Sequence, residues 1–149
     1  MIRFFTHEIE FRLLDQKHLK SWIIDQCAAA GKRANELSYV FCSDEYLLVI
    51  NKEHLQHDYY TDIITFNYCL DDNDISGELY LSIDRIRENA TENRVSFADE
   101  LHRVMIHGVL HLLGEDDKAD AEAVQMRKSE NEALAARLFH VKHYATPKP

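Results

Sequence analysis

A long helical pattern that begins at Ser96 and ends at Gly114 is the strongest constraint on the fold of this 149-residue chain. Ser96 and Asp99 resemble a capping box, and glycine is the residue that most often follows a helix. At about 100° per residue, one face of this helix collects the apolar positions Phe97, Leu101, Val104, Met105, Gly108 and Leu112. We therefore expect that face to be buried against another layer of the fold.

The rest of the chain alternates between strand and helix patterns without strict order. Alternation predicts strands at 2–5, 9–13, 37–42, 62–66 and 77–81. Helical periodicity, with Ser43 and Ser82 as caps, predicts helices at 19–30, 43–55, 82–90 and 119–139. This order indicates an α+β fold, a small mixed β-sheet covered by helices. We expect one domain at 1–143 and a disordered tail at 144–149, which holds both prolines.

Length and composition indicate a cytoplasmic protein with a core of its own. A chain of this mass buries roughly 69% of its surface on folding, so it needs no disulfide. Its longest apolar run, Tyr46–Ile50, excludes a membrane-spanning helix. Charged and polar residues interrupt the opening MIRFFTHEIE, which predicts no secretory leader. The three cysteines are widely spaced and form no CxxC pair, as expected for reduced thiols.

The charge of the chain opposes polyanionic partners as a whole. Seventeen Lys and Arg against 26 Asp and Glu give a formal net charge of −9. Binding to nucleic acid therefore requires a local basic patch. The candidates are Arg85, Arg87, Arg94, Arg103 and Lys52, although solvated helix faces explain the same residues. Unpaired bases could stack on Tyr59, Tyr60 or Phe66, for which roles in the core or a strand are equally open.

Two histidines one turn apart on the helix predict a metal site. His107 and His111 lie beside the apolar stripe, and a turn at Gly114 would return Asp117 toward them. This spacing matches that of metzincin metallopeptidases apart from the last ligand. Gly108 stands where those enzymes carry their general base, a glutamate, so a peptidase function is not expected.

Other residues near this motif receive subsidiary roles. Glu100 is nearly two turns from His107, which indicates a place in the groove wall rather than a general base. Gly108 weakens a helix by roughly 1 kcal/mol relative to Ala, which indicates a close approach of backbone or substrate. His102 projects away from His111, and His54 and His57 flank a loop, so none of these three is expected to share the ion.

Three blocks of the sequence together resemble the YbeY family of bacterial rRNA maturation endoribonucleases. The family signature HGxLHLxGYDH corresponds to HGVLHLLGEDD at 107–117, and the family block DxxTDVLSF is similar to DYYTDIITF at 58–66. The third block is Gly77-Glu78-Leu79, where the family has a GDI-like turn, and the likeness continues through Met126 and Glu130. It covers roughly residues 36–139.

The resemblance implies an α+β fold and metal binding by His107 and His111, with Asp117 at the third ligand position. An aspartate there gives a ligand set of two histidines and one carboxylate, which suits zinc but also iron, manganese or nickel. We expect one divalent ion, zinc. Leu55 stands where the family usually has an arginine thought to meet RNA, so the substrate contact differs.

The leading hypothesis is a zinc-dependent endoribonuclease that acts on single-stranded RNA in rRNA processing, with RNA and the ribosome as partners implied by the resemblance. Neither DNA nor a membrane is expected as a partner. A metal ion with three protein ligands keeps a position open for water, which would serve as nucleophile or base. No catalytic side chain can be assigned from the sequence. The alternatives are a non-catalytic ribosome assembly factor with a structural metal and another metal-dependent hydrolase.

Overall fold

The computed structural model describes residues 1–145. In chain order, its elements are β1 (Ile2–Thr6), α1 (Gln16–Ala29), β2 (Arg33–Cys42), α2 (Asp44–Leu55), β3 (Ile63–Asn67), β4 (Asp74–Ser82), α3 (Ile83–Asn93), α4 (Phe97–Leu112) and α5 (Asp120–Ala135). None of the helices within 1–145 is long and apolar enough to cross a membrane.

The four strands form one mixed sheet in the order β1-β2-β4-β3. β2 pairs in parallel with β1 on one side and with β4 on the other. β3 runs antiparallel to β4 and pairs Ile64 with Tyr80. The parallel pairs require crossover connections, which the helices supply. The predicted α+β fold with a small mixed sheet is confirmed.

Helices cover both faces of this sheet. Side chains alternate along each strand, so Tyr39 and Phe41 of β2 enter the larger core with residues of α1 and α4. Cys42 and Ile64 point to the opposite face, where they pack against Leu47 of α2. The carboxyl end of α2 and the edge strand β3 thereby come to lie beside α4.

α4 is the central helix of the larger core. The predicted apolar stripe is buried, and so are Ile106 and Val109 beside it. Gly108 allows α4 to lie close to the sheet, since an added Cβ would be 2.4 Å from Leu79 Cδ2 and 2.8 Å from Ile63 Cδ1. The close approach expected at Gly108 is therefore made by strand side chains, not by backbone or substrate.

Local sequence signals located most of the helix starts. Ser43, Ser82 and Ser96 each accept a hydrogen bond from the backbone N–H three residues on, as predicted. The strand expected at 9–13 is wrong, because the chain turns away from the sheet at Glu8, whose φ is 52°. α5 ends at Ala135, earlier than expected.

The carboxyl-terminal segment packs against the domain at Tyr144, which the sequence assigns to the tail. The Tyr144 hydroxyl accepts a hydrogen bond of 2.9 Å from the Leu14 N–H, and its ring stacks on Phe11. Residues 146–149 of the expected tail lie outside the described residues.

Candidate metal centre

The structure brings His107, His111 and Asp117 together at the carboxyl end of α4. The two histidines are four residues apart, so their side chains project from the same side of the helix. Gly114 has a φ of 104°, a value that favours glycine, and it ends the helical path. The chain then turns back and places the Asp117 carboxylate beside both imidazole rings.

The spacing of the three side chains fits one metal ion. The two Nε2 atoms are 2.9 Å apart, and Asp117 oxygens lie 3.4 Å from the Nε2 of His107 and 3.6 Å from that of His111. Ligand atoms around a tetrahedral zinc ion lie roughly 3.3–3.5 Å from one another, given bonds of about 2.0–2.1 Å. These three residues could therefore hold one divalent ion.

Hydrogen bonds on the far side of each ring orient the two histidines. His107 Nδ1 lies 2.7 Å from Glu130 Oε2, and His111 Nδ1 lies 2.9 Å from the carbonyl oxygen of Glu115. Both partners are acceptors, so each Nδ1 carries the hydrogen and each neutral ring presents a lone pair at Nε2. Two lone pairs and a carboxylate that converge in this way favour a cation among them.

Glu130 of α5 connects this centre to a basic side chain. Its Oε2 accepts from His107, while its Oε1 accepts a hydrogen bond of 3.0 Å from Arg103 of α4. Burial alone would raise the pKa of Glu130, but the hydrogen bonds from His107 and Arg103 outweigh burial and lower it. Burial likewise acts to lower the pKa of His107, but the hydrogen bond and charge of Glu130 outweigh burial and raise it.

The centre opens into a groove of about 980 Å³. Its lining includes the end of α2, the 57–62 loop, β3, one side of α4, the 114–118 turn, and Arg127 and Glu130 of α5. Glu100 lies in this lining, as expected, and Asp62 faces the same space. Burial raises the pKa of both carboxyl groups. The groove therefore presents ionisable groups that prefer the neutral form more than they would in water.

The three other histidines near the motif, His54, His57 and His102, lie apart from the three candidate ligands. His102 is buried on the other side of α4, where its Nδ1 accepts a hydrogen bond of 2.8 Å from Arg137. Burial and the charge of Arg137 lower the pKa of His102 to about 4. His54 and His57 are exposed, as expected. His57 also lines the groove and stacks on Tyr59, with ring centroids 5.2 Å apart.

The five basic residues, weighed in the sequence as a patch or as solvated helix faces, do not share the groove. Only Arg103 among them lines it. Arg85 forms an ion pair with Asp44 at 2.8 Å, and Lys52 forms one with Asp58 at 3.3 Å. Arg87 lies over the ring of Phe97, outside the groove lining.

Two groove cations, Lys118 and Arg127, were missed by the sequence analysis, as was the role of Glu130. The resemblance includes Glu130 in the last helix but assigns it no contact. Its position there, 23 residues after His107, gives no indication of the partner. Leu55 is the last residue of α2 and lines the groove.

Comparisons with known proteins agree with this architecture. A sequence model described as "Endoribonuclease YbeY" matches residues 2–137. The chain is 48% identical to endoribonuclease YbeY of Bacteroides thetaiotaomicron over 132 residues, which are 89% of this chain and 96% of that protein. It is 46% identical to endoribonuclease YbeY of Flavobacterium psychrophilum over 138 residues, 93% of this chain and 96% of that protein.

The fold is also similar to that of a Thermotoga maritima protein solved in solution. The TM-score is 0.63 at 25% sequence identity, and the match covers 90% of this chain and 87% of the other. The family model matches nearly the whole chain, and the two relatives are more than 40% identical to it. These two findings establish the family. The chain belongs to the YbeY family of endoribonucleases.

Proposed function

We propose that this enzyme is a zinc-dependent endoribonuclease that cuts single-stranded RNA during ribosomal RNA processing in the cytoplasm. One observation carries the proposal: the ligand atoms of His107, His111 and Asp117 converge within 2.9–3.6 Å of one another at the wall of a large groove. All three cysteines are free thiols, which is consistent with a reducing compartment.

The side chains around the centre prepare it to hold an ion in one orientation. Glu130 and the carbonyl of Glu115 fix the tautomers of the two histidines, and Asp117 supplies a negative charge. A divalent ion bound there would supply Lewis-acid chemistry to a phosphoryl oxygen and lower the pKa of water. We propose zinc because two imidazoles and a carboxylate are common zinc ligands.

The groove supports RNA as the substrate class. The exposed side chains of His57 and Tyr59 stack on each other in the groove lining. Such rings can accept the face of an unpaired base. Arg103, Lys118 and Arg127 supply positive charges in the groove lining, beside its acidic residues. An unpaired strand suits this site, because stacking requires bases that are free of a duplex. We propose ribosomal RNA as the substrate and the ribosome as a partner because the resemblance in sequence implies them.

Cleavage of rRNA fragments that contain single-stranded ends tests the proposal. The zinc-loaded protein should cut them, while a chelator-treated sample and His111→Ala should not. His18→Ala is a matched control, because His18 is exposed on α1 and lies outside the groove lining. It should cut at the wild-type rate. Reloading the chelated protein with zinc, manganese, iron or nickel in turn identifies the ion that restores activity.

The same experiment separates the alternatives. If the wild type binds RNA without cutting it, and His111→Ala loses both metal and stability, a ribosome assembly factor with a structural metal replaces the nuclease. If RNA is untouched but generic phosphodiester or amide substrates are hydrolysed, the protein is another metal-dependent hydrolase.

A further inference from the structure

The groove beside the metal centre contains two guanidinium groups that share one carboxylate. Arg103 Nη1 lies 3.0 Å and Arg127 Nη1 lies 3.4 Å from the same atom, Oε1 of Glu130. The other oxygen of Glu130 accepts from His107, so one side chain joins both cations to the metal centre. The two arginines come from different helices, α4 and α5, and both line the groove.

The charges at this point do not cancel within the cluster. Glu130 carries one negative charge, whereas the two arginines that share its Oε1 carry two positive charges. Glu100 also faces the groove, but within 1–145 it forms no hydrogen bond to either guanidinium, and its raised pKa disfavours the ionised form. Within the cluster of Glu130, Arg103 and Arg127, one positive charge is therefore left without a partner.

Both guanidinium groups keep donors for a ligand. Each has five N–H groups in a planar fork that matches phosphate geometry. Glu130 takes one N–H from each, and neither guanidinium donates to any other residue in the described part of the chain. The side chain of Arg127 is 56% exposed and that of Arg103 is 21% exposed, so both can be reached from the groove.

Arg103 lies one helical turn from the candidate metal ligand His107. Arg103 precedes His107 by four residues on α4, which places it one turn, about 6 Å, along the helix axis. Consecutive phosphates of a nucleic-acid strand are separated by a comparable distance. A strand whose reacting phosphate lies at the metal centre can therefore place its neighbouring phosphate against Arg103 and Arg127.

We propose that Arg103 and Arg127 form a binding site for the backbone phosphate next to the one at the metal centre. On the α2 side of the groove, Leu55 offers no cation for such a phosphate. The inference rests on the proposed function for the identity of the strand as RNA. The phosphate contact itself requires only an anionic strand in the groove.

Salt-dependent binding tests this site without relying on cleavage. The probe is a fluorescent single-stranded oligoribonucleotide with 2′-O-methyl groups, checked on a gel to be uncut, and its affinity for the zinc-loaded protein is measured at several KCl concentrations. Each phosphate contact contributes about −0.7 to the slope of log K against log salt for a single strand. Arg127→Gln should reduce the magnitude of the slope by about that amount and weaken binding at low salt by about tenfold.

Two further variants control this measurement. Lys128→Gln removes the same charge from the adjacent exposed position of α5, outside the groove lining, and should keep the wild-type slope. Arg127→Lys keeps the charge but loses the planar fork, so it should retain the slope and bind less tightly than the wild type. Arg127 is the main test because Arg103 is less exposed and its loss could disturb Glu130.

The outcomes for this site and for the nuclease proposal are separate. Wild-type slope and affinity in Arg127→Gln would overturn the phosphate site, and so would an equal loss of slope in Lys128→Gln. If the slope falls only in Arg127→Gln while unmodified RNA is never cut by the wild type, the phosphate site stands and the nuclease proposal fails.

Discussion

Replacing Glu130 by glutamine should weaken zinc binding without removing any of the three candidate ligands. Glu130 Oε2 holds His107 Nδ1 at 2.7 Å, and its Oε1 receives Arg103 at 3.0 Å. A glutamine side chain has one acceptor oxygen and one amide that only donates. Whichever way the amide is turned, either His107 or Arg103 faces another donor.

The size of the effect follows from this loss. A carboxylate that accepts from a ligating histidine makes the ring a stronger ligand and fixes its orientation, and its removal typically costs 10–100-fold in metal affinity. That range corresponds to about 1.4–2.7 kcal/mol. We therefore expect Glu130→Gln to raise the dissociation constant for zinc by at least about tenfold at neutral pH. Competition with a chromophoric zinc chelator measures this constant directly.

Glu115→Gln provides the matched control. Glu115 holds His111 through its backbone carbonyl, whereas its side chain accepts a hydrogen bond of 2.8 Å from Ser129. The substitution removes the same charge and leaves the bond to His111 in place, so zinc affinity should stay within about twofold of wild type. Circular dichroism of each variant shows that it is folded during the titration. A folded Glu130→Gln protein with wild-type zinc affinity would refute the role assigned to Glu130.

Three further predictions concern α4 and its surroundings. Gly108→Ala gains about 1 kcal/mol in helix propensity but places a methyl 2.4 Å from Leu79 Cδ2, an overpacking cost of about 1–3 kcal/mol. Denaturant unfolding should show that Gly108→Ala lowers the free energy of unfolding by about 1 kcal/mol, and that adding Leu79→Val partly restores it. Additive effects of the two substitutions would contradict this explanation. Burial raises the pKa of Glu100 above its ordinary value of 4.5. The ionised form therefore destabilises the fold at any pH above the pKa that Glu100 has in the unfolded chain. Glu100→Gln should thus raise the melting temperature at neutral pH but not below about pH 4, where both states are protonated, and an equal gain in acid would exclude this cause. Asp117→Asn should weaken zinc binding at least about tenfold in the chelator competition, because it removes the anionic ligand, while Asp120→Asn on α5 should leave affinity unchanged.

Local signals in the sequence were sufficient for the helix starts and for the candidate ligands. A serine cap acts on a backbone N–H only three residues away, so Ser43, Ser82 and Ser96 could be identified without knowledge of the fold. The strand expected at 9–13 failed because a strand requires a neighbour. No strand of the described sheet is available to pair with that segment once the chain turns at Glu8.

The basic residues considered as a patch do not share the groove, for a related reason. Arg85, Arg87, Arg94 and Arg103 are near one another in sequence, but α3 and α4 direct them to different surroundings. Arg103 instead shares the Glu130 carboxylate with Arg127 of α5, which is 24 positions further along the chain. Sequence proximity does not predict which charges share a surface unless they lie on one element.

The sequence by itself determined the burial of α4, its serine cap, its glycine end and the spacing that brings Asp117 back to His107 and His111. These features depend on distances within about ten residues, which helix geometry fixes at 1.5 Å per residue. Only the tertiary structure decided that Glu130 orients His107 and that two arginines converge on its other oxygen. Those contacts join separate helices, and the position of one helix on another is set by side-chain packing across the whole core rather than by any local pattern.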